Sequence, residues 1–104
     1  MEYSPHEQYR RAEIIVDAVC KVGGINYFQL LSAPKSEKMS TLRGLCCVAG
    51  WEFGVHARRM AKMIHRTRGN VLNMQRKYRG LIVFKDALTV SLYGKVMEEI
   101  KRNL

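Results

Sequence analysis

Eight basic residues and no acidic residue occur in the stretch 56–79. The rest of the chain is nearly balanced, with six basic and six acidic residues before this stretch and four and three after it, so most of the net charge of +9 lies here. Closely spaced like charges repel one another, and such a stretch is typical of a surface that binds a polyanion. A solvated charged face is the simpler alternative. The eight residues are Arg58, Arg59, Lys62, Arg66, Arg68, Arg76, Lys77 and Arg79.

Apolar residues within this basic stretch are spaced as on two short consecutive helices. The first helix is predicted over about 56–64 and the second from Thr67 or Arg68 to Tyr78. Two helices that cross steeply need a small residue inside the first and a mid-sized apolar residue early in the second. Ala61 and Val71 fit these two positions. The pattern therefore predicts a helix-turn-helix over about 56–78.

The outer face of the second helix is polar and able to form hydrogen bonds. Its residues are Arg68, Asn70, Asn73, Arg76 and Lys77. An Asn side chain matches the hydrogen-bonding edge of adenine, and an Arg side chain matches that of guanine. Arg68, Asn70 and Asn73 lie near the start of the helix, which is the end that enters the major groove in such motifs.

The remaining polar groups of this stretch suit phosphate contacts, which set affinity rather than sequence preference. The Thr67 hydroxyl, with the backbone N–H groups at the start of the second helix, suits one phosphate. The basic side chains assigned to phosphates are Arg58, Arg59, Lys62, Arg76, Lys77 and Arg79. Together these residues predict double-stranded DNA as the partner.

Residues 12–79 resemble the C-terminal DNA-binding domain of the bacterial replication initiator DnaA. Leu42-Arg43-Gly-Leu-Cys-Cys-Val-Ala-Gly-Trp-Glu52-Phe53 is similar to that family's Arg-led helix, which ends in a Glu-Leu pair. Met60, Ala61 and Ile64 stand where the family has Ile, Gly and Phe. Arg66-Thr67-Arg68-Gly69-Asn70-Val71 stands at the family's Gly-Arg-Asp-His-Thr-Thr-Val signature.

The resemblance implies roles for residues on both sides of the turn. Arg43 and the loop from Lys35 to Lys38 would approach phosphates or the adjacent minor groove. Arg68 and Asn70 would take the base-reading places of the family's His and second Thr. Thr67, Arg68 and Gly69 depart from the signature, so the family's recognition sequence does not carry over. The chain contains no glycine-rich phosphate loop and is too short for an ATPase.

Capping residues and apolar spacing predict four more helices. A first helix, about 5–21, begins at a capping box formed by Ser4, Pro5 and Glu7, and a short second helix lies between Asn26 and Pro34. Ser40 or a neighbour caps a third helix that Gly54 closes. A last helix, about 87–102, follows Asp86.

Two features of these helices lead to further expectations. Gly44 and Gly50 within the third helix predict close packing by neighbouring helices. The run 81–84 is interpreted as a helix extension or a packed connection. The prediction is a single all-α domain over 1–104, a compact bundle of about six helices with a DnaA-like helix-turn-helix.

The composition argues against several other classes of protein. Cys20, Cys46 and Cys47 form no CxxC pair and are expected to be free, buried thiols, without a disulfide framework or a zinc site. The three histidines are scattered, and no carboxylate lies between 53 and 85, so no enzyme activity, metal or other cofactor is expected. The apolar runs are too short to cross a bilayer, and the first residues do not resemble a signal peptide, which predicts a cytoplasmic protein without a membrane partner.

Two alternatives use the same basic face. RNA readers usually present exposed aromatic rings, whereas Tyr78, Trp51, Phe53 and Phe28 are expected on core faces here. A protein-interaction module would expose Met63 within an apolar patch. The preferred interpretation is a regulator or replication-associated protein without ATPase activity that binds double-stranded DNA sequence-specifically. No small-molecule substrate is evident, and a monomer is favoured.

Overall fold

Six helices account for most of the chain. The computed structural model describes residues 2–32 and 36–104, and this part of the chain contains no strand. The helices are α1 (Pro5–Gly23), α2 (Tyr27–Ser32), α3 (Glu37–Glu52), α4 (Ala57–Met63), α5 (Arg68–Val83) and α6 (Ala87–Asn103). The predicted all-α fold and the number of helices are confirmed.

Side-chain caps set the starts of the first and last helices as predicted. The Ser4 hydroxyl accepts a hydrogen bond from the backbone N–H of Glu7 at 3.2 Å, and Pro5 opens α1. The Asp86 carboxylate accepts from both the backbone N–H and the hydroxyl of Thr89, which lowers the pKa of Asp86. These bonds satisfy backbone donors that have no partner within the first turn of a helix.

The start of α3 lies earlier than predicted. Ser36, not Ser40, caps the helix, since the Ser36 hydroxyl accepts from the backbone N–H of Met39 at 3.1 Å. Lys38 therefore lies exposed in the first turn of α3 rather than in a loop. The predicted loop residue Lys35 lies outside the described residues.

Helix α3 is the centre of the bundle and packs against each of the other five helices. Every residue from Thr41 to Gly50 is buried, so α3 has no solvated face in this stretch. A helix enclosed on all sides is expected to lack a polar stripe. Gly54, beyond its end, has a positive φ of 78° and ends the helix as predicted.

The two glycines inside α3 lie where other helices approach, as predicted. A Cβ atom on Gly44 would lie 2.1 Å from Cδ2 of Tyr78 on α5. A Cβ atom on Gly50 would lie 3.1 Å from Cε of Met60 on α4. The absence of a side chain at Gly44 thus allows the Tyr78 ring to lie directly on the α3 backbone.

Helix α5 is longer than predicted, since it ends at Val83 rather than near Tyr78. Residues 81–83 extend the helix and Phe84 is its C-terminal cap, so of the two interpretations of 81–84 the helix extension is confirmed. Val83 and Phe84 are exposed. Ile82, just before them, is half-buried and packs against the core.

The cysteines are free thiols, and Cys46 and Cys47 are buried in α3. Cys20 is half-buried. Burial raises the pKa of the Cys47 thiol to about 12 and also raises those of Cys46 and Cys20. These thiols are protonated at neutral pH and contribute to packing.

Within residues 2–32 and 36–104, no helix combines the length and the apolar character that crossing a bilayer would require.

Replacing Gly44 by Ala is expected to lower the free energy of unfolding by about 1–3 kcal/mol, because the new methyl group overlaps the Tyr78 ring. Gly94→Ala in α6 is the matched control. A Cβ atom at Gly94 meets nothing within 4 Å, so this change is expected to raise stability by about 0.5–1 kcal/mol. Urea unfolding of both variants measures the difference. Equal stability of the two variants would contradict the close approach of α3 and α5.

Candidate nucleic-acid interface

Helices α4 and α5 are joined by the four residues 64–67, close to the predicted bounds of the helix pair. Ala61 and Val71, predicted to face each other at the crossing, are both buried in the core, together with Met60 and Ile64. His65 lies in the left-handed region with a φ of 54°. The backbone N–H of Arg66 then donates to the carbonyl of Ala61 at 2.9 Å, which closes the end of α4.

Two side chains, Arg66 from the turn and Tyr27 from α2, connect the turn region to α2. Nη1 of Arg66 donates to the carbonyls of Leu31 and His65 at 3.3 and 3.1 Å, with a longer contact to that of Ile64. The hydroxyl of Tyr27 donates to the carbonyl of Met63. The half-buried Arg66 therefore has a structural role at the turn, whereas it was predicted only as a nucleic-acid contact.

Thr67 caps α5. Its hydroxyl oxygen accepts from the backbone N–H of Asn70 at 3.1 Å. The hydroxyl hydrogen of this exposed side chain remains able to donate to a phosphate oxygen.

Residues three and four apart share a face of a helix, so the exposed side of α5 divides into three rows. The outermost row, called the ridge here, contains Gly69, Asn73, Arg76 and Gly80. One flanking row contains Arg68, Leu72, Gln75 and Arg79, and the opposite one contains Asn70, Met74 and Lys77. All five residues predicted on the outer face are exposed, but Arg68 and Asn70 lie on opposite flanks.

A groove of about 1010 Å³ lies beside the Arg68 flank, between the end of α3, α4 and α5. Four of its lining residues are basic, Arg58, Arg59, Lys62 and Arg68, and we call it the cationic groove. No ion pair among the described residues includes any of the four. The acidic lining residue Glu2 pairs with His56 instead. The groove thus combines a high density of positive charge with apolar surface from Trp51 and Leu72.

Arg59 carries a buried polar atom without a partner. Its Nε is the one side-chain nitrogen or oxygen in the described part of the chain that is buried and forms no hydrogen bond. Leaving such a group unsatisfied costs about 1–3 kcal/mol. Arg59 is also one of the residues that line the cationic groove.

The opposite flank of α5 borders a smaller depression of about 330 Å³. Asn70 and Lys77 line it from α5, and Ser40 lines it from α3. Basic and amide groups therefore lie on both sides of the ridge, although the positive charge is denser on the groove side.

Arg43 does not have the exposure that the resemblance implied. Only 5% of its surface is accessible, and its Nη1 donates to the carbonyl of Leu30 at 3.1 Å. Burial and the neighbouring Arg66 lower its pKa. Arg43 is therefore far less exposed than the resemblance implied, although it still lines the smaller depression beside Asn70 and Lys77. Its contact with phosphates stays a prediction.

Two aromatic rings expected in the core are exposed. Trp51 is 47% accessible and Phe28 is 76% accessible, whereas Tyr78 is buried as predicted and Phe53 is half-buried. Phe28 lies on the short helix α2, in which only Leu30 is buried. Trp51 lies in the last turn of α3, where the Arg79 guanidinium covers its ring at 3.7 Å from the centroid.

Several groove residues were not predicted from the sequence. Leu72 and Gln75 belong to the row that runs from Arg68 to Arg79, and the spacing of four, three and four residues could have revealed them. No sequence signal placed Trp51 beside this row, because it comes from another helix. Within the described residues, no group of three or more His, Cys, Asp or Glu side chains is arranged to hold a metal ion.

No protein-family model matches the chain, and neither the curated proteins nor the solved structures include a significant match.

Arg43→Ala is expected to lower the free energy of unfolding by about 1–3 kcal/mol, because the buried carbonyl of Leu30 loses its donor. Lys95→Ala, an exposed change of the same charge on α6, is expected to alter it by less than about 0.5 kcal/mol. Thermal or urea unfolding measures both. An Arg43→Ala protein with unchanged stability would show that this arginine has no structural role.

Proposed function

We propose that the protein binds double-stranded DNA through α4 and α5 as a helix-turn-helix, with α5 in the major groove. The observation that carries the proposal is the arrangement of α5: an exposed polar ridge runs between two flanks that carry basic side chains. We also propose that it acts as a DnaA-like regulator or replication-associated protein without ATPase activity.

The dimensions of the ridge suit a duplex groove. A helix with its side chains is about 10–12 Å across, and the major groove of B-DNA is about 12 Å wide. Asn73 and Arg76 on the ridge would face base edges, while Gly69 would let the first turn of α5 approach them closely. A Cβ atom at Gly69 meets nothing within 4 Å, so internal packing does not require glycine there.

The flanks would then face the two phosphate walls of the groove. Arg58, Lys62 and Arg68 would approach one strand, and Lys77 the other. Asn70, on the second flank, would reach base edges from the side. Phosphate contacts of this kind fix orientation and supply most of the affinity.

Exposed aromatic rings favour single-stranded RNA as a second candidate partner. Trp51, Phe28 and Phe84 are available for stacking with unpaired bases. Against this, Arg79 already covers one face of Trp51. Phe84 lies about 24 Å along the axis of α5 from Arg68, at a rise of 1.5 Å per residue. The half-buried Met63 packs on the core, which gives the protein-interaction alternative little support.

Binding to a labelled duplex in competition with unlabelled single-stranded RNA, at one salt concentration, tests the partner. We expect the duplex to compete more strongly. If about six cationic side chains reach phosphates, the slope of log K against log salt should be near −5. A binding constant independent of salt, or stronger competition by the RNA, would contradict the proposal.

Asn70→Ala and Lys77→Ala separate base reading from phosphate contact on the same flank. Both residues are exposed, and Asn70→Ala keeps the backbone N–H that Thr67 caps. Asn70→Ala is expected to lower discrimination between sites, by about 1–3 kcal/mol for its contacted base, whereas Lys77→Ala should weaken all sites alike. Binding to a library of duplexes measures both effects. Identical profiles for the two variants would contradict the assigned roles.

A further inference from the structure

The cationic groove differs from the rest of the basic surface in shape and in hydrogen bonding. It is concave, with a volume of about 1010 Å³, at the upper end of the range of ligand sites. Its four basic residues come from two helices, α4 and α5, and converge on one space. The four side chains therefore line one open concavity instead of being spread over a flat face.

Arg59 lines this groove, and its buried Nε forms no hydrogen bond within the protein. A buried N–H group in a native protein normally has an acceptor, and a bound anion is one group that can supply it. The described residues contain no other buried side-chain atom of this kind. The missing partner is a hydrogen-bond acceptor, and the surrounding charge favours an anionic one.

We infer that the cationic groove binds a run of consecutive phosphate groups, with Arg58, Arg59, Lys62 and Arg68 as the binding residues. Arginine donates to phosphate oxygens in a fixed fork geometry, and Lys62 adds a compact positive charge. Assigning these phosphates to a DNA backbone rests on the proposed function. Free polyphosphate has the same chemistry.

Trp51 and Arg79 form an adjoining part of this site. Arg79 follows Gln75 in the row that begins at Arg68, and its guanidinium stacks on Trp51, a residue that lines the groove. Stacking fixes the orientation of the guanidinium plane, and the N–H groups at its edges remain free to donate hydrogen bonds to a ligand. Trp51 is therefore a positioning residue for Arg79. It is also the single tryptophan of the chain, so its fluorescence reports on the groove.

Titration of the whole protein with sodium tripolyphosphate tests the inference, with Trp51 emission and calorimetry as readouts. We expect saturable binding that changes the emission. The exposed pair Arg58→Gln/Lys62→Gln should weaken it at least about 10-fold, as expected for two lost charge-assisted contacts. The matched control Lys95→Gln/Lys101→Gln removes the same charge from exposed positions on α6, outside the groove and the proposed DNA-binding surface, and should weaken it less than about 3-fold.

Arg59→Lys separates hydrogen bonding from charge, since it keeps the positive charge and removes the Nε donor. We expect it to weaken binding of tripolyphosphate while circular dichroism and the unfolding midpoint show an intact fold. Absence of saturable binding would overturn the inference. Equal weakening by the groove pair and the control pair would also overturn it, because the effect would then follow total charge.

Duplex DNA in the same assay identifies the source of the phosphates. If the groove pair weakens both ligands, the backbone of DNA occupies the groove. If it weakens tripolyphosphate alone while the duplex still binds, the groove stands as a site for free polyphosphate and its assignment to the DNA backbone is overturned. If tripolyphosphate binds and duplex DNA does not, the groove stands and the proposed function fails.

Discussion

The close approach of Tyr78 to Gly44 fixes the position of α5 on the central helix. The ring lies where a Cβ atom at residue 44 would be, so α5 can pack directly on the α3 backbone. Val71, about two turns earlier, is buried in the same core. Because Val71 and Tyr78 define the inner face of α5, the ridge and the two flanks must point outward. The exposed chemistry of α5 is thus a consequence of one packing constraint.

Ion pairing elsewhere concentrates the free positive charge on α4 and α5. Glu7 pairs with Arg10 and Arg11, whose hydrogen bonds lower the pKa of Glu7 to about 2. Glu99 pairs with Lys21 and Arg102, and its pKa is also lowered. The acid-free stretch has no such local partners. Repulsion among its side chains opposes folding unless solvent, salt or an anionic partner screens it.

The sequence predicted those features that depend on local patterns. Caps at Ser4 and Asp86, the apolar spacing around Ala61 and Val71, and the close packing at Gly44 all follow from short-range geometry and are confirmed. Ser36 and Ser40 are equally able to cap a helix, so the choice between them depends on packing around α3. The start of this helix was therefore predicted four residues late.

Features that depend on neighbours from distant helices could not be predicted from periodicity. A lone arginine in an apolar helix looks like a surface cation, yet Arg43 is enclosed because α2 offers a carbonyl above it. Trp51 occupies a core-like position in the pattern but lies in the last turn of α3, beyond the helices that would cover it. Its ring instead supports Arg79, which is 28 positions later in the chain. Tertiary packing decided each of these positions.

The turn before α5 is held by contacts that are already made without a partner. Arg66 donates to carbonyls of α2 and of the turn itself, Tyr27 donates to the end of α4, and Thr67 caps α5. Conformational freedom that is lost on folding need not be lost again on binding. The backbone of α4 and α5 can therefore present the cationic groove and the ridge in one fixed relation. The long side chains of Arg58, Lys62 and Arg76 are exposed, so most of the ordering on binding must occur in these side chains.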